Sequence, residues 1–573
     1  MRERGRVVRG WLFATVGVAV LAEPVGAAIY YVAENGSDVG PGNLAAPWRT
    51  IQKAANTVVA GDTVLVRSGT YAERVVMGAS GAAGAEITFA AYPGEVPIID
   101  GTGVAMPDVL SGLLHIEGIG YVRVRGLRIQ NAGPYRENAG ILLDTAHHVV
   151  LEHNSTYNTA SSGIGVWDSD NVTIDGNDVA LACNDGQQEA ITVGNTSAYE
   201  VKHNVVHDGG PGTWGGEGIC VKDGSRVGRV FGNHVFRLSR LGIYVDAEYR
   251  HTYDADVYGN LVHDVTDGIV LGTEAGALLE NVRVHDNIVY ATRYRGLLIF
   301  DAGLPVAHPM KDLWLVNNTL RENGTSGWGG GIAVDNPDAS GVVVLNNIAS
   351  QNTSFQVLVG LTVPPTAVTV DHNLIDGFRG DPEGETRGTD YVEGDPLFAD
   401  AVGRDFHLRA GSPAIDHGIL TAVSTLDYDG VPRPQGVVPD LGAFEYAISP
   451  PLAFYTATPC RLVDTRDPAL GGPAPLVAGQ DVVFALAGPC GVPASAKAVS
   501  LNVTVTAPTS AGHLRLYPAG RTRPLASTLN FAAGQTRANN AVVPLDAAGR
   551  LCVYVGLQQG TTHVVLDTTG YFE

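Results

Sequence analysis

Three successive strands near the middle of the chain decide the fold: Ala190-Ile191-Thr192-Val193, Gly218-Ile219-Cys220-Val221 and Gly242-Ile243-Tyr244-Val245. In each, two aliphatic residues stand two positions apart, which is the period of a strand that buries one face. A strand this short cannot bury that face alone, so the pattern predicts that successive repeats stack and share a core. Charged residues flank these strands: Glu189, Glu217, Lys222, Asp223, Asp246 and Glu248.

The same period extends through most of the chain. Asparagines follow a short strand at Asn154, Asn177, Asn204, Asn233, Asn260, Asn287, Asn318, Asn347 and Asn373, with gaps of 23 to 31 residues. Such a unit fits one coil of a parallel β-solenoid, whereas the signatures of leucine-rich and propeller repeats are missing. An Asn at the same turn of every coil can bond to the next, so we expect a ladder of side-chain amides.

The segment before the repeats resembles the opening of secreted right-handed parallel β-helix proteins. The resemblance rests on Gly36-Ser37-Asp38, Pro47-Trp48-Arg49-Thr50-Ile51, Gly61-Asp62-Thr63 and Gly69-Thr70-Tyr71. Residues 48–55 predict an amphipathic helix that would cover the exposed edge of the first coil. The predicted fold class is therefore all-β, a right-handed parallel β-helix with an N-terminal capping helix.

We predict five segments along the chain. They are a signal peptide (1–28), a cap with the first coils (29–105), the parallel β-helix (106–380), a closing segment at its far end (381–449) and an all-β, sandwich-like module (454–573). The basic start, short apolar run and small-residue site of the first segment are typical of export, and no stretch is apolar for long enough to span a membrane. We therefore expect a secreted or cell-surface protein.

The last module resembles an uncharacterised terminal module of secreted bacterial proteins. The resemblance rests on residues 461–466, 527–531 and 567–572 and implies no activity. Attachment to glycan or to a cell surface and passive stabilisation both remain open as its role. Cys460 and Cys490 are spaced to close a disulfide loop, and Cys552 in an apolar strand is expected as a buried thiol.

The net charge of −22 argues against a nucleic-acid partner, because phosphates require a basic face. It is compatible with an acidic polysaccharide, because local cations or a bound Ca²⁺ can offset the charge. We expect the protein to act on such a polymer as a monomer.

The candidate catalytic residues are Lys222, Glu217, Asp246 and Glu189. Stacking should bring them together, because residues at equivalent positions of successive coils become neighbours about 4.8 Å apart. Lys222 has a titratable amine that could take the C5 proton of a uronate in a β-elimination, with Asp223, Asp246 and Glu217 gathering Ca²⁺. This arrangement is similar to calcium-dependent β-helix pectate lyases that use a lysine base. Acidic neighbours oppose it, because they hold a proton on the amine.

Two other interpretations stay open. Glu189 and Glu217 on adjacent coils would have the spacing of a retaining glycosidase, and Glu217 with Asp246 would be closer to an inverting pair. Alternatively, the charges form a salt-bridged surface on a non-catalytic glycan-binding stalk, because solenoids serve all three functions. Residues predicted to bind substrate are aromatic rings for stacking and arginines for uronate carboxylates: Trp214, Tyr244, Tyr249, Trp328, Arg250 and Arg295.

Overall fold

A computed structural model describes residues 27–210, 215–303, 305–446, 452–472 and 474–573. The chain forms two compact units, Met1–Ala447 and Ile448–Glu573. Nearly all of the predicted signal peptide lies outside the described residues. Among those that are described, no helix is both long and apolar enough to cross a bilayer. The predicted all-β class is confirmed, with a parallel β-helix in the first unit and antiparallel sheets in the second.

Within its described residues, the first unit contains one helix, α1 (Ile51–Ala55), and forty strands. The strands are β1 (Ile29–Val32), β2 (Thr63–Val66), β3 (Gly69–Tyr71), β4 (Val75–Val76), β5 (Ile87–Ala91), β6 (Pro97–Asp100), β7 (Ser111–Glu117), β8 (Gly120–Arg125), β9 (Arg128–Gln130), β10 (Asn138–Asp144), β11 (His147–Glu152), β12 (Ser155–Tyr157), β13 (Ile164–Trp167), β14 (Asp170–Asp175), β15 (Asp178–Ala180), β16 (Ile191–Gly194), β17 (Ser197–Lys202), β18 (Val205–His207), β19 (Ile219–Lys222), β20 (Arg226–Phe231), β21 (His234–Phe236), β22 (Ile243–Asp246), β23 (Thr252–Tyr258), β24 (Leu261–His263), β25 (Ile269–Gly272), β26 (Leu279–His285), β27 (Ile288–Tyr290), β28 (Leu297–Ile299), β29 (Met310–Val316), β30 (Thr319–Arg321), β31 (Gly330–Val334), β32 (Ala339–Ser340), β33 (Val342–Leu345), β34 (Ile348–Ser350), β35 (Phe355–Val359), β36 (Val368–Asp371), β37 (Leu374–Asp376), β38 (Val392–Glu393), β39 (Phe398–Asp400) and β40 (Asp405–Leu408).

Three long parallel sheets form the walls of the β-helix. Sheet 1 has 11 strands, β4-β7-β10-β13-β16-β19-β22-β25-β28-β31-β35, and contains the Gly-Ile-x-Val repeats. Sheet 2 has 14 strands, β1-β2-β5-β8-β11-β14-β17-β20-β23-β26-β29-β33-β36 with β32 on β29. Sheet 3 has 13 strands, β3-β6-β9-β12-β15-β18-β21-β24-β27-β30-β34-β37-β38. Each coil thus supplies one strand to each wall, and its inward residues join a continuous apolar core.

The predicted asparagine ladder is confirmed at the turn between sheets 2 and 3. Asn233 is typical, because its Oδ1 accepts from both the backbone N and Nδ2 of Asn204, each at 3.0 Å. Its own Nδ2 donates to the carbonyl of Val201 at 2.9 Å and to Oδ1 of Asn260 at 3.0 Å. Every polar atom of this buried amide is therefore satisfied, which a turn inside a stack of coils requires.

The predicted N-terminal helix is also present, although it is shorter than residues 48–55. Thr50 caps it by accepting a hydrogen bond from the backbone N of Lys53. Its buried residues, Ile51, Ala54 and Ala55, join the core beside the first coils. The helix therefore covers apolar side chains that no preceding coil could cover.

The closing segment, predicted to cover the far end of the β-helix, pairs there with the last strands: β38 lies beside β37, and Glu385 and Thr389 bridge to Leu358 and Asp371. Its later residues turn back along the coils. Its residues Phe398, Phe406 and Phe444 pack with Ile288 and Ile348, which are in two strands of sheet 3. The guanidinium of Arg433 lies 2.7 Å from the carboxylates of both Asp286 and Glu445, and all three side chains are buried. The later part of the segment thus lies along the side of the last coils, because sheet 3 there exposes aliphatic residues that need cover.

The second unit has nine strands in two antiparallel sheets and two short 3₁₀ turns, Pro468–Leu470 and Pro489–Gly491. The strands are β41 (Phe454–Asp464), β42 (Leu476–Val477), β43 (Asp481–Ala485), β44 (Ala498–Thr506), β45 (Gly512–Pro518), β46 (Leu529–Phe531), β47 (Arg537–Pro544), β48 (Arg550–Leu557) and β49 (Thr561–Phe572). The five-stranded and four-stranded sheets share one apolar core, as a sandwich does. The Cys460–Cys490 disulfide is confirmed, and Cys552 is a buried thiol.

Candidate active site on the outer face of sheet 1

Strand pairing in sheet 1 brings the predicted charged residues together. Gly194 of β16 pairs with Lys222 of β19. Val221 of β19 pairs with Val245 of β22, so the next residues along these strands, Lys222 and Asp246, stand side by side. The backbone N of Ala190 donates to the carbonyl of Glu217 at 2.8 Å, so Glu189 and Glu217 occupy equivalent positions on adjacent coils. The structure therefore places Lys222 and Asp246 at equivalent positions of adjacent coils, and Glu189 and Glu217 likewise. The two aliphatic residues that recur in each strand fix this alignment.

Lys222 lies at the centre of this cluster. Its Nζ donates to Oε1 of Glu189 at 2.8 Å and to Oε1 of Gln188 at 3.3 Å, and it stands 5.4 Å from the ring centre of Trp167. Burial by itself lowers the pKa of Lys222, but attraction to Glu189 and other neighbours outweighs this and raises it well above the ordinary value. The amine is thus protonated and ion-paired in the resting protein.

The two glutamates of the cluster have different environments. Oε1 of Glu217 accepts a hydrogen bond from Nε of Arg240 at 2.9 Å and lies 2.8 Å from Nη2 of the same ion-paired guanidinium. Burial and then repulsion from Glu189 raise the pKa of Glu217 in spite of this arginine. Glu189 instead faces the Lys222 ammonium and accepts from Oγ1 of Thr192 at 2.8 Å. Glu217 is therefore protonated up to a higher pH than an ordinary glutamate, whereas Glu189 forms an ion pair with Lys222.

Asp246 is the least satisfied group on this face. It is only 3% exposed, and its Oδ1 has no hydrogen-bond partner among the described residues. Burial, followed by repulsion from Glu274, Asp223 and Glu248, raises the pKa of Asp246 well above its ordinary value. A buried carboxylate oxygen without a donor, facing other carboxylates, has the chemistry of a cation ligand.

The residues predicted to hold Ca²⁺ fit a cation unequally. Asp246 has the orphaned oxygen, and Asp223 is near enough to raise its pKa, whereas Glu217 is bound by Arg240. The three do not form a compact set of ligands. Within the described ranges, a compact group of three metal-ligating side chains occurs elsewhere, on or beside the last strand of sheet 2. It consists of Asp371, His372 and Asp390, whose ligand atoms all lie within 4.8 Å of one another. A cation at Asp246 would thus need further ligands, and Glu274, whose repulsion contributes most after burial to the raised pKa of Asp246, is a new candidate.

Trp214 lies outside the described residues. Of the other residues predicted to bind substrate, Tyr244 and Arg295 are occupied by neighbouring side chains. Tyr244 is 7% exposed, packs in an apolar cluster and donates to Glu274 at 2.9 Å, so the prediction of a stacking platform is wrong. Arg295 is held at 2.8 Å by Asp267 and at 3.4 Å by Asp335. Arg250 stands 3.6 Å from Asp168, but its side chain is 60% exposed and remains accessible.

Two predicted aromatic residues remain accessible. Tyr249 is 72% exposed, and its backbone N donates to Oδ1 of Asp223 at 2.8 Å, so its ring lies beside the acidic end of the cluster. Trp328 is 41% exposed and makes edge contacts with Tyr294 and Phe355. Both rings are placed where a sugar could stack.

The sequence prediction missed two charged residues of the site, Arg240 and Glu274. Arg240 comes two residues before a Gly-Ile-x-Val strand, and such loop residues have no fixed place in the repeat. Glu274 did leave a signal in the sequence. Gly272 is the strand partner of Asp246 on the next coil, and Glu274 follows Gly272 by two positions, just as Glu248 follows Asp246. Aligning the residues beyond each strand end would have found it.

Fold and site together define the class: a parallel β-helix with an ionic cluster on one wall. Residues 30–231 match the model of the family described as "Pel9A-like, right handed beta helix region", so the predicted right-handed β-helix is confirmed. The matched range contains Glu189, Glu217 and Lys222 and ends before Asp246.

Individual relatives agree with this class. The chain is 27% identical to the uncharacterised protein YwoF of Bacillus subtilis over 432 residues, which are 67% of this chain and 91% of that protein. It is 32% identical to pectate lyase PEL9 of Emericella nidulans over 164 residues, 27% of this chain and 38% of that enzyme. The crystal structure of pectate lyase Pel9A covers 73% of this chain and 96% of its own, with a TM-score of 0.45 and 18% identity.

Proposed function

We propose that the protein is a carbohydrate-active enzyme that cleaves a uronate-containing polysaccharide by β-elimination. The observation that carries the proposal is the buried cluster of Lys222 with Glu189, Glu217 and Asp246, on the coils where the Pel9A-like match ends. The similarity to a pectate lyase over 164 residues supports the same reaction class. Export through the leader predicted in residues 1–28 belongs to the proposal, because a polymeric glycan does not cross a membrane unaided.

In this reaction, Nζ of Lys222 takes the C5 proton of the uronate. The electrons of the C5–H bond form a C4–C5 double bond, the C4–O bond breaks, and the leaving oxygen takes a proton. Glu217 is suited to supply that proton, because burial and the neighbouring Glu189 keep it protonated at higher pH than an ordinary glutamate. Because Nζ is protonated in its ion pair with Glu189, it must first release that proton to solvent and leave the 2.8 Å contact before it can act as the base.

Asp246 and Asp223 are the residues that would hold a divalent cation. The orphaned oxygen of Asp246 could coordinate the cation without giving up a hydrogen bond. A bound Ca²⁺ would neutralise the uronate carboxylate and make the adjacent C5 proton more acidic. Its charge beside Lys222 would also lower the pKa of the amine by like-charge repulsion, which is the direction a base needs.

Hydrolysis is the second candidate function, and one observation favours it. Burial and the neighbouring Glu189 raise the pKa of Glu217, which suits Glu217 as the acid, and Glu189 on the adjacent coil is the second carboxyl group that such a reaction needs. A glycoside hydrolase uses such a pair across the scissile bond. Lys222 would then hold Glu189 in place and take no proton from the substrate.

The experiment is digestion of polygalacturonate, with and without added Ca²⁺, by the native protein and by the Lys222→Ala and Glu217→Gln variants. A lyase releases reducing ends together with unsaturated ends that absorb in the ultraviolet, and Lys222→Ala lowers the rate by roughly 10²- to 10⁴-fold. Lys311→Ala is the matched control, since this exposed lysine pairs with Glu280 on sheet 2.

Reducing ends without ultraviolet absorbance, abolished in Glu217→Gln, would establish the hydrolase instead. If the native protein binds the polymer and releases no ends, the enzyme proposal is wrong and a binding protein remains.

A further inference from the structure

A second groove lies on the outer face of sheet 2, a different wall from the proposed active site. Three cavities of about 600, 580 and 490 Å³ adjoin one another along it. The first cavity shares Arg229 and Asp256 with the third, and Asn281 and Arg283 with the second. Residues 419–430 of the closing segment line one side of the second and third cavities. The lining extends from β14 to β36, eight strands in sheet order, or about 34 Å at the usual spacing.

The groove is lined by more acidic than basic side chains. The acidic groups have hydrogen-bond or ion-pair partners, and of the two arginines, within the described part of the chain, Arg229 is paired whereas Arg283 is not. Arg229 bonds to Glu200, which also accepts from Lys202 at 2.7 Å, and His285 lies 3.0 Å from Asp256. Arg283 is exposed, and across the described ranges it makes no ion pair, hydrogen bond or ring contact. It lines the junction of two cavities, so this cation is open to a carboxylate entering from solvent.

Beside Arg283 the groove becomes apolar. Trp314 follows it in the register of sheet 2 and is half-buried, and Ile419 and Leu420 face the same cavity, with Leu420 68% exposed. A cation next to an indole and an aliphatic wall suits a sugar that has a carboxylate on one side and C–H groups on its ring face.

We propose that this groove binds a second segment of acidic glycan, with Arg283 pairing with a uronate carboxylate and Trp314 packing against the sugar ring. The ligand class rests on the proposed function, whereas the site itself rests on sheet 2. A segment held here would keep the protein on its polymer while another segment occupies sheet 1, so bound polymer would be retained through two sites.

The test is isothermal titration of the full-length Lys222→Ala protein, which cannot consume the probe, with oligogalacturonate. The proposal predicts two sites per chain. Arg283→Ala in the same background should weaken one of them roughly tenfold or more and leave the other unchanged. Arg125→Ala is the matched control, an exposed arginine of sheet 2 outside the cavities.

Hydrogen exchange locates the second site. Saturating oligogalacturonate should protect β26 and β29, and Arg283→Ala should remove that protection. Turnover by the native protein with a single site unaffected by Arg283→Ala would overturn the groove and leave the lyase standing. Binding at the groove without turnover would overturn the lyase and leave the groove. No binding anywhere would overturn the groove, and turnover by the native protein would still decide the lyase.

Discussion

Two buried ionic clusters of the β-helix differ in how completely their carboxylate groups are satisfied, although Nε of Arg433 in the first cluster has no hydrogen-bond partner among the described residues. Under the closing segment, Asp286 accepts from His285, Arg433 and Ser424, and Glu445 accepts from Arg433 and two backbone N–H groups. On sheet 1, Asp246 is as deeply buried but has an oxygen with no partner among the described residues.

Burial of charge alone therefore does not mark a functional site. The first cluster joins a separate segment to the coils and needs every partner it has. The second holds a buried carboxyl group with an unpartnered oxygen, and neighbouring carboxylates raise its pKa further, which a purely structural role would not require.

The largest effect is expected from breaking the satisfied cluster. Arg433→Met leaves Asp286 and Glu445 buried without their cation and should lower the free energy of unfolding of the first unit by about 3–5 kcal/mol. Urea unfolding measures it. Arg404→Ala, which removes an exposed pair with Glu322, is the control and should cost under about 1 kcal/mol. Equal losses in the two variants would show that the buried cluster is not structural.

The same cluster should make stability depend on pH. Burial lowers the pKa of His285, but hydrogen bonds to Asp256 and Asp286 outweigh this and raise it to about 9. A raised pKa adds stability that is complete below the ordinary value near 6.5 and is lost as the pH rises through 9, roughly 3 kcal/mol in all. His285→Gln should remove this slope between pH 6.5 and 9 in urea titrations. An unchanged slope would contradict the assignment.

The unsatisfied cluster should also lose stability as the pH rises, because its buried carboxyl group must ionise beside other carboxylates. The raised pKa of Asp246 means that stability falls as the pH rises from about 3.9 toward the raised value. Asp246→Asn should remove that penalty and stabilise the first unit at pH 7 by about 1–2 kcal/mol while abolishing activity. Urea unfolding and polymer digestion of the same sample give both results. Loss of stability together with activity would make Asp246 structural.

The smallest effect concerns the exposed ring beside this cluster. Tyr249→Ala should raise KM for the polymer about threefold with kcat unchanged, because stacking on a sugar contributes on the order of 1 kcal/mol. Tyr157→Ala is the control, because Tyr157 is an exposed ring of sheet 3. Tyr30→Ala is less suitable, because it would disturb the core of the first coils. An equal change in the control would remove Tyr249 from the binding surface.

Much of the fold and part of the site follow from the sequence, because a β-helix converts sequence period into spatial order. Aligning Ile219 with Ile243 is enough to place Lys222 beside Asp246, and the asparagines fix the turns in the same way.

The loops between sheets 3 and 1 do not obey the period. Sequence alone could not show that Arg240 reaches Glu217 or that Tyr244 is covered. The aliphatic face of sheet 3 gave no warning that the closing segment packs along the side of the coils, because strands buried on both faces have no alternating pattern.

The central claim is that the unsatisfied cluster on sheet 1 performs an elimination with Lys222 as base. Mass spectrometry of the oligosaccharides released from a defined oligogalacturonate tests it directly, since elimination adds no water across the cleaved bond. The account predicts that one product of each cleavage is lighter by one water than its hydrolytic counterpart, and that Lys222→Ala yields none. Fully hydrated products, or lighter products that persist in Lys222→Ala, would contradict it.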